Sequence, residues 1–355
     1  MRAVPVNSIL VEQLSRVLKR YRWLLLAVFA LGVLLYFWYV PAPPVKPQPD
    51  VVSKVQSVIN NEPIIPVPLE VKLDPARVAL GKRLFHDPRL SGDNTVSCAT
   101  CHGLDHGGAD HTVHSRGVGG REGVINAPTV FNSGFNFRQF WDGRAKNLEE
   151  QIDGPVQNPL EMASNWPQVL GKLRADVDYP KDFSINYSDG ITVDNVKNAI
   201  ATFERSLYTP NSRFDRFLRG DKAALSGDEL AGYKLFKAFG CVSCHQGVNV
   251  GGNLYEKMGV MQDYFNARGN VTKADLGRYN RTGIEEQTFE FKVPSLRNVA
   301  LTAPYFHDGS VDTLDAAVNL MAKYQLGVNL TKVEQWQIVE FLRTLTGEYQ
   351  GELLK

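Results

Sequence analysis

Cysteine is scarce in this chain: four among 355 residues. None is left over for a disulfide, because all four fall in two copies of one pattern, Cys98-Ala99-Thr100-Cys101-His102 and Cys241-Val242-Ser243-Cys244-His245. A charge imbalance is also lacking. Lys and Arg number 39 against 38 Asp and Glu, and a net charge of +1 leaves no basic footprint for a nucleic-acid partner. Methionine is sparse, at five residues, so few sulfur ligands are on offer for a metal. No β-rich region stands out, and the 30 glycines and 19 prolines fit helices joined by long loops. Charge disappears altogether over 23–40 (WLLLAVFALGVLLYFWYV).

The repeated C-x-x-C-H is the attachment signature of a c-type haem. Two thioethers form with the vinyl groups, and the adjacent histidine binds iron from the proximal side. A CxxC redox pair or half a zinc site would leave the following histidine, present twice, without a reason; zinc would more naturally gather four ligands at one site. Two haems, on His102 and His245, are therefore predicted.

The segment before the apolar run is basic, with Arg16, Lys19, Arg20 and Arg22. Eighteen uncharged residues are near the lower limit for crossing a bilayer, about 17. Tyr21 and Trp23 at one end, and Tyr36, Trp38 and Tyr39 at the other, resemble interfacial belts. A cleaved signal peptide usually has a shorter apolar region, about 7–15 residues, and a small-residue exit. The reading favoured is an uncleaved anchor, with the N-terminus cytoplasmic and everything after Val40 exported. The predicted organisation is 1–40 cytoplasmic stub and transmembrane anchor, 41–73 Pro-rich linker and strap, 74–219 first haem domain, and 220–355 second haem domain. The fold class is mostly α: two cytochrome c-like haem domains preceded by one N-terminal transmembrane helix. Asp74-Pro75 predicts a helix start, and Val196, Ile200, Phe203 and Leu207 form a helical stripe over 193–207. Segment 211–221 is predicted to join the domains. Helices are expected at about 313–324 and 331–346, the latter opened by a Thr331/Glu334 capping box. A weak internal repeat, Gly81-Lys82-Arg83-Leu84-Phe85 and Gly232-Tyr233-Lys234-Leu235-Phe236, precedes each haem motif.

What occupies the far side of each iron decides function: methionine makes an electron-transfer site, and an open position allows peroxide chemistry. Met321, Met258 and Met261 are candidates for the second haem. His106, His111 and His114 are candidates for the first, and Met162 lies in the same domain.

Together with the haem motifs, several phrases make the chain resemble the bacterial dihaem cytochrome c peroxidases over about 74–347. They are Ala127-Pro128-Thr129-Val130, the run from Gln139 to Ala145 (QFWDGRA), Glu150-Gln151, Gly154-Pro155, Glu161-Met162, and the run from Val293 to His307 (VPSLRNVALTAPYFH). The membrane anchor and the phrase Gly117-Val118-Gly119-Gly120 look more like the membrane-anchored, quinol-linked branch than the soluble enzymes. The resemblance implies a peroxidatic haem on Cys98, Cys101 and His102, and an electron-accepting haem on Cys241, Cys244 and His245 with Met321 as its second ligand. It implies Glu161 and Gln151 as the acid–base residue and its neighbour, and Trp141 as an aromatic between the haems. It also implies a calcium ion between the domains on Asn126 and the carbonyls of Thr302 and Pro304. Arg144 is expected near a haem propionate or capping a loop, and His307 near the second haem. Val118 stands where many soluble members carry a distal histidine, so the first haem is expected open or bound by His111 or His114. The implied reaction is reduction of hydrogen peroxide to water, with quinol or a small c-type cytochrome as donor. The implied location is the bacterial inner membrane with catalytic domains in the periplasm, as a possible homodimer. Two other functions fit two haems: an oxidase modifying a partner protein, in which tyrosine would replace Met321, and a non-catalytic electron carrier.

Overall fold

A helix cannot begin without partners for its first amide groups, and the sequence supplies one at nearly every start. The computed structural model describes residues 62–355. The basic stub, the apolar run at 23–40 and the spacer as far as 61 lie outside the described residues. Among the described residues no helix is long and apolar enough to cross a membrane.

In the first half, α1 (Pro75–Phe85) opens on Asp74, whose carboxylate accepts from the Ala76 amide at 2.9 Å. The short α2 (Cys98–Cys101) carries the first haem cysteines. Then follow α3 (Leu148–Gln157), α4 (Trp166–Arg174), α5 (Tyr179–Asn186) and α6 (Val193–Ser206). Asn147, Asn165 and Thr192 cap α3, α4 and α6 with their side chains. In the second half, α7 (Arg213–Leu218) leads to α8 (Gly227–Ala238), which begins with a Ser226/Glu229 capping box. The short α9 (Tyr264–Arg268) and α10 (Tyr279–Thr282) precede α11 (Leu314–Leu320) and α12 (Lys332–Arg343). The Thr331/Glu334 capping box expected for α12 is present. Only two small antiparallel sheets occur among the described residues. One pairs β1 (Tyr255–Lys257) with β2 (Glu290–Lys292), and the other β3 (Glu348–Tyr349) with β4 (Glu352–Leu353).

Two large apolar cores form, beside a small third cluster of Tyr264, Phe265 and Phe291. One gathers Leu84, Phe85, Ile152, Phe183, Ile200 and Phe203 from α1 to α6. The other gathers Phe214, Tyr233, Phe236, Ile338 and Phe341 from α7, α8 and α12. The internal repeat has a structural cause. Gly81 crosses α6 so closely that a Cβ there would sit 1.9 Å from the Ala199 carbonyl oxygen. Gly232 crosses α12 in the same way, 1.9 Å from the Gln337 carbonyl oxygen. Each glycine sets one close helix crossing, on the helix that precedes one haem motif.

Three expectations differ in detail. The segment at 211–221 is no bare connector, since it contains α7, and Phe214 stacks edge-on against Tyr233 and Phe341 in the second core. The strap is embedded: Ile64 and Val67 are fully buried. The helix expected to run to 324 stops at Leu320 and continues as one wider π turn over Met321–Gln325.

Candidate haem chamber and peroxide site

All thirteen residues assigned from the sequence line one cavity of about 1110 Å³. That exceeds the ~300–1,000 Å³ common for a single ligand site. The four haem-motif cysteines, His102 and His245 stand in its wall with Met321, Glu161, Gln151 and Trp141, and so do Asn126, Thr302 and Pro304. None of the four cysteines is in a disulfide.

The donor set fits two haems. His102 Nδ1 faces the Gly108 carbonyl at 3.3 Å, and His245 Nδ1 faces the Val250 carbonyl at 3.2 Å. In each case the N–H can sit on Nδ1, which leaves Nε2 with a lone pair for iron. Burial lowers the pKa of both imidazoles, that of His245 to about 4, so they are neutral and ready to ligate. The cysteine thiols are pushed up by burial, Cys241 to about 12, which suits neutral sulfur destined for thioether linkage.

Glu161 follows α3 in a tight turn. Its carboxylate accepts from Asn158 Nδ2 at 2.6 Å, and burial raises its pKa while that hydrogen bond and nearby Arg144 oppose the rise. Gln151 shares the wall but does not hold Glu161; Asn158 does. The spacing Asn158-Pro159-Leu160-Glu161 is the signal that could have found it. A second carboxyl, Glu204 on α6, is buried in the same wall, with its pKa pushed up by burial to about 8 and Oε2 unpartnered. Its place eight residues after Val196 and four after Ile200, on the apolar stripe, marked it in the sequence.

Trp141 donates its indole N–H to the Asn126 carbonyl at 3.0 Å, and its ring meets His307 edge-on at 6.3 Å. His307 is buried and faces Asp275 at 2.7 Å. Asp275, His307 and Asp308 form a cluster of metal-ligating type, but Arg268 already bridges the two carboxylates at 2.6 and 2.5 Å. Asn126 spends its side-chain amide on the Thr112 carbonyl, 2.9 Å away. Arg144 lies flat over Phe140 and pairs with Asp142 at 3.0 Å.

The distal candidates separate. Val118 is half-buried against the first core, its amide donating to the Glu161 carbonyl at 2.8 Å. His111 is exposed, with both ring nitrogens against carbonyls, Ala303 at 3.1 Å and His106 at 2.9 Å. Of His106, His111 and His114, only His114 lines the cavity. For the second haem, Met321 and Met258 line it, whereas Met261 is 59% exposed.

Comparisons with known proteins agree with this chamber. The pattern of the di-haem cytochrome c peroxidase family matches residues 75–223. The chain is 48% identical to cytochrome c551 peroxidase of Nitrosomonas europaea, over 81% of this chain and 85% of that one. It is 51% identical to cytochrome c peroxidase Ccp of Escherichia coli over 82% of this chain, a match that spans 62% of that relative's length. A solved MauG-like protein associated with microbial copper homeostasis superposes with a TM-score of 0.69 at 29% identity, covering 81% of this chain and 94% of that one. With two haem motifs in one chamber and relatives at this identity, the chain belongs to the di-haem cytochrome c peroxidase family.

Proposed function

We propose that the protein reduces hydrogen peroxide at the haem on His102, with electrons taken up at the haem on His245. The observation that carries this reading is the half-buried Glu161 carboxyl in the chamber wall, held by Asn158. The haems supply the iron at which the O–O bond is cleaved and hold the electrons. The protein's part is proton handling. Glu161 takes a proton from one peroxide oxygen and returns it to the other as the bond breaks, so hydrogen peroxide, two electrons and two protons give two waters. Gln151 lines the path and can orient a water. Trp141 lines the same chamber and would bridge electron transfer between the two haems. Met321, on the turn where α11 widens, would be the residue that holds the His245 haem together with His245.

Of the distal candidates, His114 is the histidine with cavity access and would be the one to hold the first haem, which otherwise would have His102 alone. A high-spin signal in the paramagnetic resonance spectrum of the oxidised protein supports the open site; a wholly low-spin spectrum refutes it. Asn126, Thr302 and Pro304 share one wall and would hold calcium there, with waters completing oxygen coordination. The haem domains are taken as 74–219 and 220–355, behind an anchor over 23–40 that places them in the periplasm at the inner membrane. Quinol or a small c-type cytochrome is the donor, and pairing into a homodimer is compatible. Steady-state peroxide consumption with each donor tests the activity. Glu161→Gln should lower kcat by about 10²–10⁴-fold, and a loss under tenfold would remove Glu161 from proton transfer.

A further inference from the structure

Buried and half-buried arginines near the chamber have partners. Arg268 pairs with Asp275 and Asp308, Arg278 with Glu290, and Arg297 with Asp215. Lys292 differs. It ends β2, is 8% exposed, and lines the cavity. Burial alone acts on its ammonium, lowering the pKa to about 8, and no carboxylate among the described residues comes within ion-pair distance. The two wall acids that adjoin its backbone partners Trp141 and Tyr255 are already engaged: Asp142 pairs with Arg144 and Arg281, and Glu256 accepts from the Lys257 amide.

A buried, unpaired ammonium is costly, and proteins keep one where a counter-charge arrives with a ligand. Each haem brings two propionate carboxylates into this chamber. The strand that carries Lys292 places it on the His245 side. Its backbone pairs with Tyr255 of β1, and two residues on, Pro294 presents its backbone to the His245 ring. Its amide donates to the Trp141 carbonyl at 2.8 Å, so its backbone is fixed to the aromatic that the proposed function sets between the haems.

We propose that Lys292 is the counter-ion of a propionate on the haem held by His245. This rests on the two-haem reading of the cavity. A fixed positive charge beside that haem favours its reduced form, so Lys292 helps keep the electron-accepting haem at the higher potential. Direct pairing also makes Lys292 a cofactor-binding residue, in line with the motif cysteines and His245.

The test is a mediated redox titration of the haem-loaded protein followed in the visible spectrum, with haem content counted in the same samples. In Lys292→Met the potential of the His245 haem should fall with two haems still bound, and Lys292→Arg should restore it. The first haem should move less. An unchanged second-haem potential in Lys292→Met, or a fall confined to the first haem, overturns the proposal. Should Lys292→Met not load two haems, Lys292→Gln removes the charge but keeps a polar group, and the same shift is required of it. A wild-type count other than two haems per chain would instead overturn the two-haem reading itself.

Discussion

Glu161 must start ionised to take a proton from peroxide, and burial works against that. The acid limb of kcat/KM should therefore lie at higher pH than an exposed glutamate, about 4.3, would give. Activity should fall as pH drops through that limb, and the limb should vanish in Glu161→Gln. Asn158 favours the carboxylate by donating to it, so Asn158→Leu should move the limb to higher pH while leaving a working base. A pH profile of kcat/KM for the three proteins checks both. The sequence showed Glu161 only through family resemblance, because a lone glutamate after a helix reads as a surface group. Asn158 and Glu204 left only indirect signals, the Asn158–Glu161 spacing and a place on the apolar stripe of α6, because their roles depend on burial. His111 and His114 looked equivalent in sequence. They part only because the loop turns His111 toward two carbonyls and His114 into the chamber.

Among the elements, the helices were the most legible, since caps and apolar stripes are local signals. Thr331 with Glu334, and Asp74 before Pro75, mark real starts. The loop-borne parts were not local: the strap and α7 gain their place from side chains far along the chain. The two crossing glycines give a sharp test. Gly81→Ala and Gly232→Ala each drive a methyl into a backbone carbonyl that cannot move alone, and each should cost about 1–3 kcal/mol. Gly171, inside α4 with open space around its Cβ position, is the control. Gly171→Ala should stabilise by about 0.5–1 kcal/mol through helix propensity. Thermal unfolding of the haem-loaded variants separates the two outcomes.

At the scale of the whole molecule, Arg297 holds the parts together. It is fully buried and pairs with Asp215 at 2.8 Å. It also donates to the Val248 carbonyl beside the second haem and to the Ile65 carbonyl of the strap, each at 2.9 Å. Arg297→Met leaves the Asp215 carboxylate buried without its cation and should cost about 3–5 kcal/mol, much of it recovered in Arg297→Met/Asp215→Leu. Denaturant titration measures the cost. Faster hydrogen exchange of the Ile65 and Val67 amides would show the strap loosening with it.

That strap also sets an order of events during synthesis. Ile65 waits for Arg297, 232 residues later in the chain, and Val67 waits for Asp215 and Arg219, 148 and 152 residues later. Contacts so distant cannot close until most of the chain has emerged, whereas α1 to α6 can gather as soon as Ser206 is made. Cys98 and Cys101 therefore become available to haem on a half-formed molecule whose leading segment is still loose. The final docking of the strap then comes late, as a latch that closes only on a chain made through its second haem motif.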